Sequence, residues 1–196
     1  MSTFRFAIMG AGNIAHQFCD AVTLVEDCEV SAIASKDLGR AQKFAEECSV
    51  AHAYDNYEQM LIEEKPDCVY IAVTPNDHFR LTMLCLEHRV PVLCEKAMFT
   101  NSAEAKAVFE KAEKDQTFVM EAMWSRFLPA VNQAKKWAAE GKIGRLEALQ
   151  GRIGFLAPEG ADNRYHSPLL CGGAATDITV YAYEIATWLV NEPVRK

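Results

Sequence analysis

The chain has 196 residues, of which 50% are hydrophobic and 24% are charged, a composition typical of one large or two small globular domains. Its formal net charge is −7 and no lysine or arginine run is present. These features exclude a nucleic-acid backbone as the expected partner, because such partners select basic surfaces. We therefore expect small-molecule or protein partners.

The cysteine, histidine and N-terminal patterns restrict the class of protein further. The seven cysteines include no C-x-x-C pair and the five histidines show no ligand spacing, so we expect reduced thiols and no metal site. The N-terminus lacks a signal-peptide pattern, and no apolar run approaches the roughly 18 residues of a membrane span. A cytoplasmic protein without membrane association is predicted.

From residue 4 to about residue 120, short apolar runs alternate with longer stretches of helical period. This alternation predicts parallel strands covered by helices on both faces, the doubly wound α/β class. The predicted strands are Phe4–Met9, Glu29–Ala34, Ala51–Tyr54, Cys68–Val73, Val90–Cys94 and Thr117–Met120. The predicted helices are Ile14–Leu24, Leu38–Glu47, Tyr57–Glu64, His78–Glu87 and Ser102–Lys114.

The alternation of short apolar runs with helical stretches stops after Met120, where a second domain is predicted to begin. We expect a helix over Pro129–Glu140, a strand over Leu146–Phe155, a polar loop and a helix over Ala174–Val190. The predicted domains are residues 1–122 and 123–196. One strand alone does not make a stable sheet, so the second domain is expected to be partial, or completed by another chain.

The first predicted strand leads into a G-x-G-x-x-A motif at the opening of a helix. Gly10 permits the tight turn, Gly12 permits close approach of a pyrophosphate, and the small Ala15 permits close packing of helix on strand. The free amides of the helix N-terminus would face the phosphates. The alternative is a purely structural turn, but the position between strand one and helix one favours dinucleotide binding.

The residues after the second strand discriminate between NAD and NADP. An acid there usually binds the ribose hydroxyls of NAD, whereas a small residue followed by a cation accommodates the 2′-phosphate of NADP. Ser35 and Lys36 fit NADP, and Arg40 provides a second cation. Asp37 is either the ribose acid, which would indicate NAD, or the N-cap of the next helix. The pattern favours NADP over NAD.

Strands four and five are predicted to end at the same edge of the sheet, where ligands of open α/β sheets bind. Thr74 and Asn76 follow strand four and are candidates to line the nicotinamide side of the cleft; the alternative is a proline turn with a helix cap. Glu95 and Lys96 follow strand five. They either reach solvent at the strand end or deliver a lysine to a site.

Five stretches, in order and spacing, resemble the Gfo/Idh/MocA family of oxidoreductases. They are GAGNIA at the glycine turn, TPNDH after strand four, CEK after strand five, EAMWSRFLP (Glu121–Pro129) and GGAATDITVYAYEIA (Gly172–Ala186). Within the family the chain is most similar to the branch of NADP-dependent dihydrodiol and D-xylose dehydrogenases. The resemblance implies a Rossmann cofactor domain followed by the start of a second α/β (α+β) domain for substrate binding and dimerisation.

The resemblance also implies the functional residues. Lys96, Asp177 and Tyr181 correspond to the catalytic residues of the family, and the last two lie four residues apart, which places them on one face of a continuous helix. Asp177 as a first-turn helix acid and Tyr181 as a packing residue are the alternatives. The matching motifs add cofactor-binding and substrate candidates to those already named. These are Asn13, Ile14, His78 and Glu95 for the cofactor, with Trp124, Arg126 and Phe155 for the substrate.

Two features depart from the family pattern. Ala97 follows the lysine where the family has proline, so the turn that a proline would shape must be made otherwise. Family members also run well past the length of this chain, with a large open sheet in the second domain. A homodimer is expected if that sheet is complete.

The implied reaction is hydride transfer between NADP and a secondary alcohol or hemiacetal carbon of a sugar-like or diol substrate. We expect Tyr181 to act as general acid and base, because a neighbouring lysine ammonium favours the phenolate. Lys96 would supply that charge and bind the substrate oxygen, and Asp177 would orient them. Trp124 as an aromatic wall has ordinary core packing as its alternative. The competing hypothesis is a truncated fragment or sensor that binds cofactor without turnover.

Overall fold

The computed structural model describes residues 3–160 and 163–190. These residues belong to two compact units that meet in the sequence between Ala122 and Met123. The units are described separately. Their assignment as a cofactor domain and a partial substrate or dimerisation domain stays a prediction.

The first unit is a six-stranded parallel sheet in the order β3-β2-β1-β4-β5-β6. The strands are β1 (Phe4–Met9), β2 (Cys28–Ala34), β3 (His52–Tyr54), β4 (Cys68–Ile71), β5 (Val92–Cys94) and β6 (Val119–Glu121). The helices between them are α1 (Asn13–Val22), α2 (Leu38–Cys48), α3 (Tyr57–Glu64), α4 (Pro75–Glu87) and α5 (Ser102–Asp115). The predicted doubly wound sheet is confirmed.

Two hydrophobic clusters account for this architecture. Successive residues of a strand point to opposite faces, and accordingly Ala7 and Met9 belong to one cluster whereas Ile8 belongs to the other. All three are fully buried. Burial of each large apolar side chain stabilises the fold by about 1.5–3 kcal/mol, so the sheet is held from both faces.

The ends of several elements differ from the prediction by a few residues. The largest change is at α4, which begins at Pro75 rather than at His78. Proline suits the first helical position, because its fixed φ angle is already helical and its missing N–H would have no partner there. The alternative of a proline turn before the helix is therefore wrong, because Pro75 is the first residue of the helix and Thr74 is its N-cap.

The second unit contains helices and turns among residues 123–160 and 163–190. They are a 3₁₀ turn over Trp124–Phe127, α6 (Pro129–Ala139), a 3₁₀ turn over Pro168–Leu170, α7 (Ala174–Asp177) and α8 (Thr179–Val190). The predicted strand over Leu146–Phe155 is wrong, since residues 144–160 form neither helix nor strand. An extended segment becomes a strand only when a neighbour takes its backbone hydrogen bonds, and the described part of this unit supplies none.

The predicted single helix over Ala174–Val190 is also wrong. It is interrupted at Ile178, whose φ and ψ angles are −122° and −41°. The interruption lies in a β-branched stretch of low helix propensity. The Thr179 hydroxyl donates a hydrogen bond to the Ala174 carbonyl at 3.0 Å, and such side-chain contacts compete with the regular helical pattern.

Within the described residues, no helix is both long enough and apolar enough to cross a membrane. The same residues contain no group of three or more His, Cys, Asp or Glu side chains arranged to hold a metal ion.

The core of the first unit gives a direct stability prediction. Leu81 of α4 is fully buried, whereas Leu24 is 86% exposed. We expect Leu81→Ala to lower the free energy of unfolding by about 2–5 kcal/mol through lost burial and a residual cavity. Leu24→Ala is the matched control and should change it by less than about 0.5 kcal/mol. Urea unfolding followed by circular dichroism measures both, and equal effects would contradict this description of the core.

Candidate functional site

The carboxyl edge of the sheet carries most of the predicted site residues of the first unit. The strands are parallel, so all their carboxyl ends meet at one edge. The order reverses where β1 lies between β2 and β4. In open α/β sheets the crevice at this reversal is where ligands bind.

The glycine turn between β1 and α1 has the geometry that dinucleotide binding requires. Gly10 has a φ angle of +110°, and a Cβ atom there would lie 2.8 Å from the Ala72 backbone, so only glycine fits. At Gly12 the nearest heavy atom to such a Cβ is 4.0 Å away, which leaves open space before the helix. Asn13 and Ile14 are exposed in the first turn of α1, whereas Ala15 is buried.

The N-terminal caps distinguish the two helices beside this crevice from the other three helices of the first unit. The side chains of Asp37, Asn56 and Asn101 accept backbone N–H groups at the starts of α2, α3 and α5. The N-cap residues of α1 and α4, Gly12 and Thr74, make no such side-chain hydrogen bond. Helix N-termini bind anions through their free N–H groups and the helix dipole. The N-terminus of α1, which follows the glycine turn, therefore fits the phosphates of a dinucleotide, whereas α4 carries the acid Asp77 in its first turn.

The residues after β2 resolve one open alternative. The Asp37 carboxylate accepts the Arg40 backbone N–H at 2.8 Å and caps α2, as the N-cap interpretation predicted. Ser35 is buried at the strand end. The Arg40 guanidinium donates to the Ala11 carbonyl at 3.3 Å, beside the glycine turn. Lys36 forms an ion pair with Asp77.

An open pocket of about 580 Å³ adjoins the glycine turn. Its walls come from the first turns of α1 and from α2, and they carry the side chains of Asn13, His16, Arg40 and Lys43. Glu47 lines the same pocket, and its carboxylate lies 3.0 Å from His16 Nε2 and 3.7 Å from Lys43 Nζ, so the pocket walls carry both signs of charge.

His78 lies beneath the edge rather than on it. Its ring is fully buried, with Nδ1 at 3.1 Å from the Ala97 carbonyl and Nε2 at 3.0 Å from the Val73 carbonyl. A buried ring cannot contact a cofactor, so its predicted role as a direct cofactor ligand is corrected to a positioning role. It connects the loops that follow β4 and β5. Asn76, by contrast, is exposed at the start of α4.

The turn that carries Lys96 is fixed by carboxylates. Glu95 accepts the Tyr70 hydroxyl at 2.6 Å and the Lys96 backbone N–H at 3.2 Å. Burial raises the pKa of Glu95 above its ordinary value. Glu121 accepts the Met98 N–H at 2.9 Å. The Lys96–Ala97 peptide bond between these contacts is cis. Glu95 therefore holds the turn through protein contacts.

In the second unit, hydrogen bonds connect the Trp124–Phe127 turn to α8. Trp124 Nε1 donates to the Tyr181 hydroxyl at 3.1 Å. The buried carboxylate of Glu184 accepts the Ser125 hydroxyl at 2.9 Å and also binds the Arg126 guanidinium. These contacts bring the predicted wall residue Trp124 against the predicted base, Tyr181. They also occupy the Arg126 guanidinium within the protein.

The remaining candidates lie in different surroundings. Asp177 ends α7 and faces the Arg164 guanidinium at 3.5 Å, whereas Tyr181 belongs to α8, so the argument from one continuous helix does not apply to this pair. Phe155 lies in the segment without strands, and its ring packs on Tyr165 with centroids 5.2 Å apart.

Sequence reasoning missed Glu184 and understated Asp77. Glu184 is a single acid within an otherwise apolar helix, a pattern that signals a buried carboxylate with a specific partner. The contact of Asp77 with Lys36 joins residues far apart in sequence, so no local sequence pattern predicts it.

A parallel sheet of this strand order, with a glycine turn and an uncapped helix at its reversal, is typical of the dinucleotide-binding domains of the Rossmann class. The family model described as "Oxidoreductase family, NAD-binding Rossmann fold" matches residues 4–123, and the GFO/IDH/MocA C-terminal domain matches residues 131–196. The chain belongs to the Gfo/Idh/MocA oxidoreductase family.

Named relatives agree with this placement. The chain is 32% identical to trans-1,2-dihydrobenzene-1,2-diol dehydrogenase of Mus musculus, covering 94% of this chain and 56% of the mouse protein. It is 30% identical to D-xylose 1-dehydrogenase (NADP(+)) 2 of Haloferax volcanii, and the match covers 97% of this chain and 58% of the Haloferax protein. The chain thus spans little more than half the length of these relatives.

Solved structures share the fold. An NAD-binding protein from Listeria innocua superposes with a TM-score of 0.87 at 22% identity, covering 99% of this chain and 57% of that one. A probable dehydrogenase from Thermotoga maritima superposes with a TM-score of 0.82 at 22% identity, and the match covers 97% of this chain and 56% of that one.

The buried His78 predicts a pH dependence of stability. Burial lowers the pKa of His78 below its ordinary value, against the opposing effect of the carbonyls around it. Below about pH 6.5 the unfolded chain gains a proton that the folded protein does not. The free energy of unfolding therefore decreases as the pH is lowered, by at most about 1.36 kcal/mol per pH unit. His78→Gln should lose this part of the slope.

Urea unfolding at about pH 7.5 and about pH 5.5 tests this expectation. The comparison concerns the change between the two pH values, so a lower overall stability of His78→Gln does not affect it. Identical pH slopes in the wild type and the variant would show that His78 does not titrate in this window.

Proposed function

We propose that this chain binds NADP and supports reversible hydride transfer between its nicotinamide and a sugar-like or diol substrate. The reacting carbon would be a secondary alcohol or a hemiacetal. One observation carries the proposal most directly: the glycine turn and the uncapped N-terminus of α1 coincide at the strand reversal. The substrate class is supported by relatives whose names specify a dihydrodiol and D-xylose.

The preference for NADP rests on the residues after β2. Asp37 is engaged as a helix cap, which argues against its use as the ribose-binding acid of an NAD enzyme. Ser35 is small, and Lys36 and Arg40 provide positive charge near the glycine turn. The Haloferax relative is named as an NADP⁺ enzyme, whereas NAD occurs in the names of several structural neighbours.

The bound nicotinamide would supply the hydride chemistry. Among the protein's own residues, we propose Tyr181 as general acid and base for the substrate hydroxyl proton. Trp124 supports this role, because its indole N–H donates to the phenolic oxygen and so orients the Tyr181 side chain. We propose Lys96 as the cation that binds the substrate oxygen, and Asp177 as the orienting residue.

We propose Trp124 and Phe155 as apolar contacts for the substrate. Both residues are at least half exposed, so their rings are accessible to a ligand. Arg126 has a smaller proposed role, since its contact with Glu184 accounts for its charge without a ligand. We further propose that residues 123–196 contribute to substrate binding and to a homodimer, to be tested by native mass measurement with and without NADP.

The second candidate function is cofactor binding without turnover. The observation that favours it is the segment 144–160, which forms no strand where a substrate-binding sheet would be expected. Calorimetry with NADP and assays with a panel of aldoses and dihydrodiols separate the two candidates. Binding accompanied by no hydride transfer to any substrate would favour the second.

Substitution of the proposed catalytic residues tests the first candidate. We expect Lys96→Met and Tyr181→Phe each to lower kcat/KM by about 10²- to 10⁴-fold, the usual contribution of a positioned acid or base. Lys106→Met and Tyr183→Phe are the matched controls, because both residues are exposed and have no proposed role. Undiminished turnover in either test variant would remove that residue from the mechanism.

The glycine turn gives a prediction that is independent of turnover. Gly12 has φ and ψ angles of −105° and 176°, which alanine adopts freely, and no heavy atom closer than 4.0 Å would meet its Cβ. We therefore expect Gly12→Ala to retain thermal stability but to bind NADP at least about tenfold more weakly, because the methyl group fills the space of the pyrophosphate.

Gly154→Ala is the control, since a Cβ atom there meets nothing within 4 Å. It should change neither binding nor stability. Calorimetric titration and thermal melting measure the two properties. Unchanged NADP affinity in Gly12→Ala would locate the dinucleotide elsewhere or exclude it.

A further inference from the structure

An ion pair joins the two sides of the proposed cofactor crevice. Lys36 follows β2 and Asp77 lies in the first turn of α4, which follows β4. Their Nζ and Oδ2 atoms are 2.5 Å apart. Since β1 lies between β2 and β4 in the sheet, the pair bridges the carboxyl end of β1, at the level of the glycine turn.

The carboxylate is the more firmly held partner of this bridge. The Asp77 side chain is 16% exposed, whereas the Lys36 side chain is 66% exposed. Arg80, one turn along α4, approaches the other Asp77 oxygen at 3.4 Å. Lys36 is therefore the side chain with freedom to change partners, while Asp77 stays at the start of α4.

Asp77 is ionised at neutral pH. Burial acts to raise its pKa, but the hydrogen bond and charge of Lys36, together with Arg80, outweigh burial and hold the pKa below its ordinary value. A fixed negative charge thus lies within reach of the lysine that we propose as a partner of the NADP 2′-phosphate.

NADP and NAD differ at the group that Lys36 would meet. The 2′-phosphate carries about −1.5 to −2 charge at pH 7, so it competes with Asp77 for the ammonium and is repelled by the carboxylate. NAD carries a hydroxyl at that position, which has no charge to be repelled. Asp77 therefore acts against NADP selectively.

We propose that Asp77 is a cofactor-specificity residue, which sequesters Lys36 at the crevice and so reduces the preference for NADP over NAD. This inference rests on the proposed cofactor function and deepens it. It assigns the selectivity to a balance between two side chains rather than to the cations alone. A neutral residue at this position would leave Lys36 to the 2′-phosphate.

Calorimetric titration of the full chain with NADP⁺ and with NAD⁺ tests the inference without any assay of turnover. We expect Asp77→Asn to bind NADP⁺ about three- to tenfold more tightly than the wild type, the range for a partly exposed charge. Its affinity for NAD⁺ should change by less than about twofold. The gain should be absent when Asp77→Asn is combined with Lys36→Met.

Asp115→Asn is the matched control for net charge, because Asp115 pairs with Lys111 at 2.8 Å in α5. It should leave both affinities unchanged. If Asp77→Asn leaves NADP⁺ binding equal or weaker while both dinucleotides still bind, the inference is overturned and the cofactor proposal stands. If the wild type binds neither dinucleotide, both fail.

Discussion

Burial of a parallel sheet on both faces is the constraint on which the rest of the first unit depends. The inner strands bury residues on both faces: Ala7, Ile8 and Met9 of β1 are fully buried, as are Val69 and Ile71 of β4. A polar side chain within such a strand would lose its hydration without a partner. Polar chemistry is therefore displaced to the strand ends, and parallel pairing gathers those ends at one edge.

At that edge, some helix N-termini have backbone N–H groups that a capping side chain satisfies, and others do not. Where Asp37 or Asn56 caps a helix, the protein satisfies its own N–H groups. A cap of this kind contributes about 0.5–2 kcal/mol, and it is forgone at Gly12 and Thr74, the two N-cap residues nearest the strand reversal. At Gly12 a bound phosphate is the partner that would offset this loss.

The sequence predicted the first unit well because its elements carry local signals. Apolar runs and helical period are properties of neighbouring residues, and they located every strand and helix of the sheet. The second unit depended on contacts between distant residues. Nothing within Leu146–Phe155 reveals that no partner strand is supplied, and nothing near Ile178 reveals that threonine hydroxyls will bind the helix backbone.

The same distinction separates the site residues. The glycine turn was predicted from its spacing, and the capping role of Asp37 was one of two alternatives that the sequence left open. The burial of His78 and the pairing of Asp77 with Lys36 are set by other elements, so each required the structure.

The turn that carries Lys96 shows how such long-range contacts position a residue that we propose to be functional. Its neighbours in sequence are held by Tyr70 from β4, by Glu121 from β6 and by His78 from α4. Each contact uses a buried or partly buried polar group, and burial of Glu95 raises its pKa, which means that its ionised form is destabilised there. Three elements on different sides of β5 thus converge on one turn. The sheet and α4 therefore hold the backbone of the turn that carries Lys96.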